Sequence, residues 1–324
     1  MNAHEFAAVL KIPVLTAWAL AFSMSGPSGN AAWGQDTAGG SGTAATDSES
    51  EDASSKQSPP PTLRTLPSIS DPLTEEEQKS PLDEYVGPDE IAAKAFAPPP
   101  GAKSLSSRNL WVDRKASRVY IDGYVAMNDG PLEMFACPTG TKEHESVVAT
   151  IAHSAEVHAA LLAVGAMPGT TVRFLPRYVP ATGQRIRVWV CYRDKQNQFK
   201  VVDARNWIRK TGTNDTMSVD WVFAGSGMWK DPSSGREYYR ADSGDMICVS
   251  NFATAMMDVP VASSAEASEL EYSPLTKAIP ERGTPVRLVL MPIPLPTDEN
   301  NGKTEEVAKP TEDILPANEA AKKK

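Results

Sequence analysis

Alternating apolar and polar positions mark most of the elements in this chain. Leu110-Trp-Val-Asp113 and Arg118-Val-Tyr-Ile-Asp122 alternate as half-buried strands do. Asp122-Gly123 predicts a tight turn or bulge into Tyr124-Val-Ala-Met127, and Asn128-Asp-Gly-Pro131 closes that pair. Leu132–Ala136 reads as a short strand that runs into a loop at Cys137. Ser146–Ile151 is a β-branched run that returns to the sheet. Gln184–Arg193 alternates most clearly, with Ile186, Val188 and Val190 on one face and Arg185, Arg187 and Trp189 on the other. Lys195–Gln198 predicts a hairpin loop into Phe199–Ala204. Short strands follow over Thr171–Phe174, Val219–Ala224, Glu237–Arg240 and Asp245–Ser250, with Asp231-Pro-Ser-Ser-Gly235 as a turn. Pro285–Pro292 is the last, with Val286, Leu288 and Leu290 on one face.

The period changes from strand to helix over 155–164. Ser154 suits the N-cap, Glu156 the first turn, and Gly165 the stop, with Pro168 beyond. Val157, Leu161 and Val164 define one buried face. Ser264–Leu270 is short enough for a minor helix. The pattern therefore predicts an α+β domain over 108–293, mostly antiparallel sheet with one main helix.

Composition bounds the flanks. Residues 35–107 are rich in Gly, Ser, Pro and acidic groups, including Ser58-Pro-Pro-Pro61 and Pro98-Pro-Pro100. Such a segment buries too little apolar surface to offset chain entropy, and reads as a disordered, acidic linker. Leu73–Gln78 and Asp89–Phe96 are its two stretches with transient helical character. Residues 294–324 read as a disordered charged tail ending in Lys322-Lys-Lys324. The chain's formal charge is -9, but Asp36–Glu90 holds thirteen acidic against three basic residues. The domain itself is close to neutral and has no basic run, which argues against nucleic-acid binding. At the start, Lys11 precedes an apolar run from Ile12 to Met24, and Ala32-Trp-Gly34 offers a small-x-small cleavage site. Residues 1–34 thus read as a signal peptide, which predicts export to the periplasm or cell envelope and no membrane span after cleavage. Cys137, Cys191 and Cys248 follow, an odd count in which a Cys191–Cys248 bridge is one pairing the pattern allows.

Candidate chemistry concentrates in Glu133-Met-Phe-Ala-Cys137-Pro-Thr-Gly140-Thr-Lys142-Glu143-His144-Glu145. Three readings of this loop stand side by side. In the first, Cys137 is a nucleophile for acyl or thiol transfer. His144 would be its base and Glu145 or Glu143 the orienting carboxylate, with Lys142 lowering the thiol pKa and N–H groups near Gly140 holding an oxyanion. In the second, Cys137, His144, His153 and His158 supply ligands to a transition metal such as zinc or copper. In the third, the charges are a solvated turn, Cys137 is a buried apolar residue and His158 a core histidine. Gly225-Ser-Gly227 through Asp242, Asp245 and Asn251 forms a second cluster, best explained by glycine-rich hairpin turns. Arg185, Arg187 and Trp189 can face an acidic or sugar ligand, or simply solvent. Trp111, Trp189, Trp207, Trp221 and Trp229 can anchor a core or line a groove, with core the default.

Several of these stretches together resemble the YdjY domain family of bacterial envelope proteins. They are Glu133-x-Phe-x-Cys137, Gly140-x-Lys142-x-His144-Glu145-Ser-Val and Val157-His158-Ala-x-Leu161-Leu162-x-x-Gly165-x-x-Pro168-Gly169. Trp221-Val-Phe-Ala-Gly-Ser-Gly, Tyr238-Tyr-x-Ala-Asp242-x-Gly-Asp245 and Val249-Ser-Asn251-Phe extend the resemblance over nearly all of 108–293. The resemblance implies an exported setting and brings no reaction with it. A ferredoxin-like description used for some members does not fit, because an iron–sulfur cluster takes four ligands and the three cysteines are scattered. The expectation is a non-catalytic binding or assembly domain that meets an envelope protein or cell-wall component through the Cys137–His144 loop. A thiol-dependent enzyme is the alternative.

Overall fold

A computed structural model of the chain describes residues 86–296 and 307–318. The expected signal peptide, the linker up to residue 85 and the end of the tail lie outside the described residues. In chain order the elements are α1 (Pro88–Ala95), β1 (Lys103–Ser106), β2 (Leu110–Asp113), β3 (Arg118–Val125), β4 (Met134–Pro138) and β5 (Ser146–Thr150). Then come α2 (Ser154–Ala163), β6 (Arg185–Arg193), β7 (Phe199–Asp203), β8 (Ile208–Lys210), β9 (Trp221–Phe223), β10 (Met228–Lys230) and β11 (Glu237–Tyr239). The last are β12 (Ile247–Cys248), β13 (Met257–Asp258), β14 (Tyr272–Pro274) and β15 (Pro285–Pro292).

The fold is mostly sheet, and the sheet closes on itself. Strands β3, β15, β6, β9, β13, β12, β4 and β5 follow one another around an eight-stranded barrel, closed where β5 pairs with β3. All pairs in the ring are antiparallel except β12–β13 and β4–β5. The closure explains Gly123. The expected turn at Asp122-Gly123 is absent, and β3 runs straight through it. A Cβ on Gly123 would lie 2.1 Å from the Ala149 carbonyl oxygen of β5, so only glycine lets the two backbones meet there.

The alternation in the sequence reads out directly as inside and outside. Ile186, Val188 and Val190 of β6 and Val286, Leu288 and Leu290 of β15 point into the main core with Val119 and Ile121 of β3. Helix α2 lays Val157, Ala160 and Leu161 on the same core. Its N-cap is His153 rather than Ser154. Ser154 is already helical and donates to the Ala241 carbonyl, while Asp242 accepts from the Ala155 N–H. No helix forms over 264–270, where the chain makes bends and turns. The strand expected over 171–174 is reduced to a single bridge between Arg173 and Val179.

The opposite faces of β3, β6 and β15 carry Tyr120, Cys191, Val289 and Met291. They form a second apolar layer with Phe96, Ile314 and Leu315 from the two flanks. This corrects the expectation that both flanks are unstructured. Residues 88–106 form α1 and β1, and 307–318 return to the barrel wall. The reason is Arg287 of β15, fully buried beside the fully buried Asp122. Its Nε and Nη2 donate to the two Asp122 oxygens at 2.6 and 2.9 Å. Two further donors reach the Ile314 carbonyl at 2.6 Å and the Ala97 carbonyl at 3.0 Å. The guanidinium also lies over the rings of Trp111 and Phe96. A buried guanidinium needs acceptors, and both flanks supply them.

Arg287→Met is expected to destabilise the domain by about 3–5 kcal/mol, because it leaves the Asp122 carboxylate buried without its partner. The measurement is denaturant unfolding, with limited proteolysis as a second readout. Cleavage within 88–97 or 307–318 should precede global unfolding in the variant. Unchanged stability would show that the pair does not hold the flanks.

Candidate functional site

The expected Cys137 site does not assemble. Strand β4 continues past Ala136 to Pro138, which places Cys137 inside the barrel wall at zero exposure. Burial pushes its thiol above the ordinary range, and the Ser146 and Thr141 hydroxyls and the Lys142 backbone N–H only partly oppose this. His144 sits on a short 3-10 turn with its side chain 77% exposed, facing Glu145 at 3.8 Å. The backbone N–H of Gly140, an oxyanion candidate in the sequence, donates to Glu143 Oε1 at 2.7 Å. Glu143 thus ties the loop together and is not free to orient an imidazole. The outward face of this loop borders a shallow polar hollow of about 510 Å³ lined by Asp129, Gly140, Thr141, Glu143, His144 and Arg282.

Lys142 turns the other way. Its ammonium lies 3.1 Å from Asp245, 3.5 Å from Glu145 and 4.5 Å from the centre of the Phe252 ring. Burial works against this charge, but Asp245, Glu145 and Glu133 outweigh it and hold the ammonium above the usual lysine range. Glu133 is raised by burial and by the charge of Glu145. The lysine therefore neutralises a knot of carboxylates at the barrel wall and is not placed to activate a thiol. Its stem crosses Gly244, where a Cβ would come within 2.5 Å of it.

The histidines are dispersed by role. His153 caps α2, its N–H donating to Glu156 at 2.9 Å. His158 packs edge-on against Phe223 and shares a 2.8 Å hydrogen bond with the Tyr239 hydroxyl. Burial lowers its pKa, which favours the neutral ring. Among the described residues no group of three or more His, Cys, Asp or Glu side chains is placed to hold a metal ion. Cys137, His144, His153 and His158 are thus not brought together as a ligand set. The three cysteines are free and buried, so the Cys191–Cys248 bridge does not form. The arginine face of β6 is also engaged from within: Arg187 meets Asp203 and Asp220, and Arg205 binds the same two carboxylates.

Asn251 and Asp258 make a buried polar pair that the sequence only half revealed. Asn251 donates to Asp258 Oδ1 and to the Val259 carbonyl, and accepts from the Ser263 N–H and the Tyr178 hydroxyl. Asp258 is fully buried, and among the described residues no cation pairs with it. Burial raises its pKa to about 7, against the hydrogen bonds from Asn251 and the Val259 and Phe252 backbone.

A cleft that sequence reasoning missed lies along the β10–β11 hairpin. Trp229 and Tyr238 are direct cross-strand partners, with ring centres 5.8 Å apart and a 33° tilt. They are 47% and 44% exposed, high for such large rings. With Asp231, Tyr239, Arg240, Asp242, Ser243 and Thr254 they line a cavity of about 550 Å³. Asp231 is held down to about 2 by hydrogen bonds from Ser234 and Ser233, so it is charged at neutral pH. Tyr239 is fixed by donating to the Gly225 carbonyl at 2.9 Å. Thr254 donates to Asp245, which links the cleft wall to the Lys142 cluster behind it. The Asp231–Gly235 turn was legible in the sequence, but not that its flanking aromatics stay outside.

Two outcomes check this geometry. A disulfide reagent should react slowly with the native chain and release three equivalents only in denaturant, matching the three buried thiols. A fast equivalent lost in Cys137→Ser would restore the nucleophile. The second concerns pH. Asp258 binds its proton more tightly folded than unfolded, so its contribution is intact below the unfolded pKa and is lost as pH rises from about 4 to about 7. Asp258→Asn should flatten that slope. Its advantage over wild type at pH 8 is on the order of 4 kcal/mol by linkage. Parallel pH profiles of Tm would contradict it.

No curated protein and no solved structure matches the chain. The YdjY domain family model matches residues 110–291, which run from β2 into β15 and take in the strands of the barrel. The chain belongs to the YdjY domain family.

Proposed function

We propose that this chain is a non-catalytic binding domain of the bacterial cell envelope and that its ligand is a saccharide of the cell wall. The observation that carries the reading is the Trp229–Tyr238 platform beside a ring of polar side chains. Sugars have flat C–H faces that stack on exposed aromatic rings, and hydroxyls that need hydrogen-bond partners around the rim. Asp231, Arg240, Asp242, Ser243 and Thr254 supply such partners here. A cross-strand aromatic pair is rigid, so little entropy is lost when a ligand stacks on it. The envelope setting is supported by the apolar run after Lys11 and by the small residues that follow it.

The binding reading is favoured over thiol catalysis by the position of Cys137. A nucleophile must be ionised and reachable, and this thiol is neither. It moves the functional surface from the Cys137–His144 loop to the hairpin.

The test is a calorimetric titration of the purified chain with soluble cell-wall oligosaccharides. Trp229→Ala and Tyr238→Ala should each weaken binding by on the order of tenfold, the weight of one lost aromatic contact. Their melting temperatures should stay near wild type, since both rings are already half exposed. Cys137→Ser and His144→Ala should bind as wild type. Absence of saccharide binding, or full affinity in Trp229→Ala, would overturn the assignment.

A further inference from the structure

A second surface lies on a different part of the chain. Residues 167–184 fold back on themselves as a ribbon. Gln184 N–H donates to the Met167 carbonyl, Thr182 N–H to Thr170, and Arg173 and Val179 exchange both backbone hydrogen bonds. Its tip is Arg173-Phe-Leu-Pro-Arg-Tyr178, six residues that are all exposed. Phe174 is 51% and Leu175 81% exposed, the latter the highest value among the exposed large apolar residues. The tip is tied to the body by the Tyr178 hydroxyl, which donates to Asn251 Oδ1 at 3.1 Å, and the Tyr178 ring lies 6.3 Å from that of Phe174.

We infer that this ribbon tip docks onto an anionic lipid surface. Three observations favour that occupant. The apolar residues sit exposed at the tip of a hydrogen-bonded ribbon, from which they can insert between headgroups. Two arginines flank them, and no Asp or Glu occurs anywhere from Val157 to Arg193. The tip is therefore positive with no acid of its own segment to offset it. Phe and Leu flanked by Tyr and Arg is a composition that membrane interfaces favour. No helix among the described residues is long and apolar enough to cross a membrane. Two arginines and two apolar side chains give a weak, reversible attachment that depends on anionic headgroups and weakens with salt. The ribbon would hold the saccharide cleft close to the layer where its ligand is found, but its chemistry is independent of that cleft.

The test uses the full chain with Leu175→Cys carrying an environment-sensitive fluorophore. The three natural thiols are buried, so labelling is selective. Phosphatidylcholine vesicles with and without phosphatidylglycerol are the probes. The expected result is a blue shift with anionic vesicles only, reversed by salt. Replacing both arginines, Arg173→Gln with Arg177→Gln, should lower the apparent affinity by on the order of tenfold. In unlabelled chain, Phe174→Ser with Leu175→Ser should reduce vesicle cosedimentation at unchanged melting temperature. A label that stays in water on anionic vesicles overturns the inference, even where the chain cosediments through another segment. So does an equal response to neutral vesicles, or an arginine variant that binds as wild type.

Discussion

A charged pair without water stands at the junction of the barrel and its two flanks. Asp122 on β3 and Arg287 on β15 face each other across adjacent strands, in register and fully buried. Such a pair costs several kcal/mol to desolvate, and the carboxylate alone cannot satisfy five donors. The carbonyls of Ala97 and Ile314 take two more of these donors, and Asn109 donates a further hydrogen bond to Asp122. The apolar layer of Phe96, Trp111, Ile314 and Leu315 then excludes water around it. The flanks are thus part of the folded unit because the barrel wall carries a charge that only they can cover.

That arrangement bears on function through rigidity. The β3–β5 pairing closes the barrel, and the flanks cover the outer wall of β3, β15 and β6. Three turns differ from an ordinary solvated loop. The Gly140–His144 turn is polar, tied inward by Glu143 and Lys142. The β10–β11 hairpin and the 167–184 ribbon instead expose aromatic and aliphatic side chains that the core had room to exclude. Exposed large apolar groups on fixed hydrogen-bonded frames are where a stable barrel can meet something else.

The sequence carried the strand faces of β6 and β15 and the buried stripe of α2 without ambiguity, because period-two and period-3.6 patterns over eight or more residues leave one solution. It did not carry closure. The ring depends on a glycine contact at 123 and on strands of two or three residues, β9, β12 and β13, which are too short for any pattern. The helical stretch over Asp89–Phe96 was legible, but composition rich in Gly, Ser, Pro and acidic groups says nothing about a distant arginine whose need for carbonyls draws 88–106 and 307–318 onto the wall. Cys137 turned on one position: a strand ending at Ala136 leaves a thiol in a loop, and one ending at Pro138 buries it. Trp229 was assigned to core by default, since alternation within a three-residue strand cannot distinguish a buried face from a free one.

The claim on which the account rests is that ligand recognition occurs at the hairpin and not at the cysteine loop. The most direct measurement is a heteronuclear NMR titration of the isotopically labelled chain with a cell-wall oligosaccharide. The account predicts that the Trp229 indole N–H and the amides of Tyr238, Arg240 and Ser243 shift, while those of Gly140, Lys142 and His144 stay in place. Shifts confined to the Gly140–His144 turn would contradict it and return the functional surface to that loop.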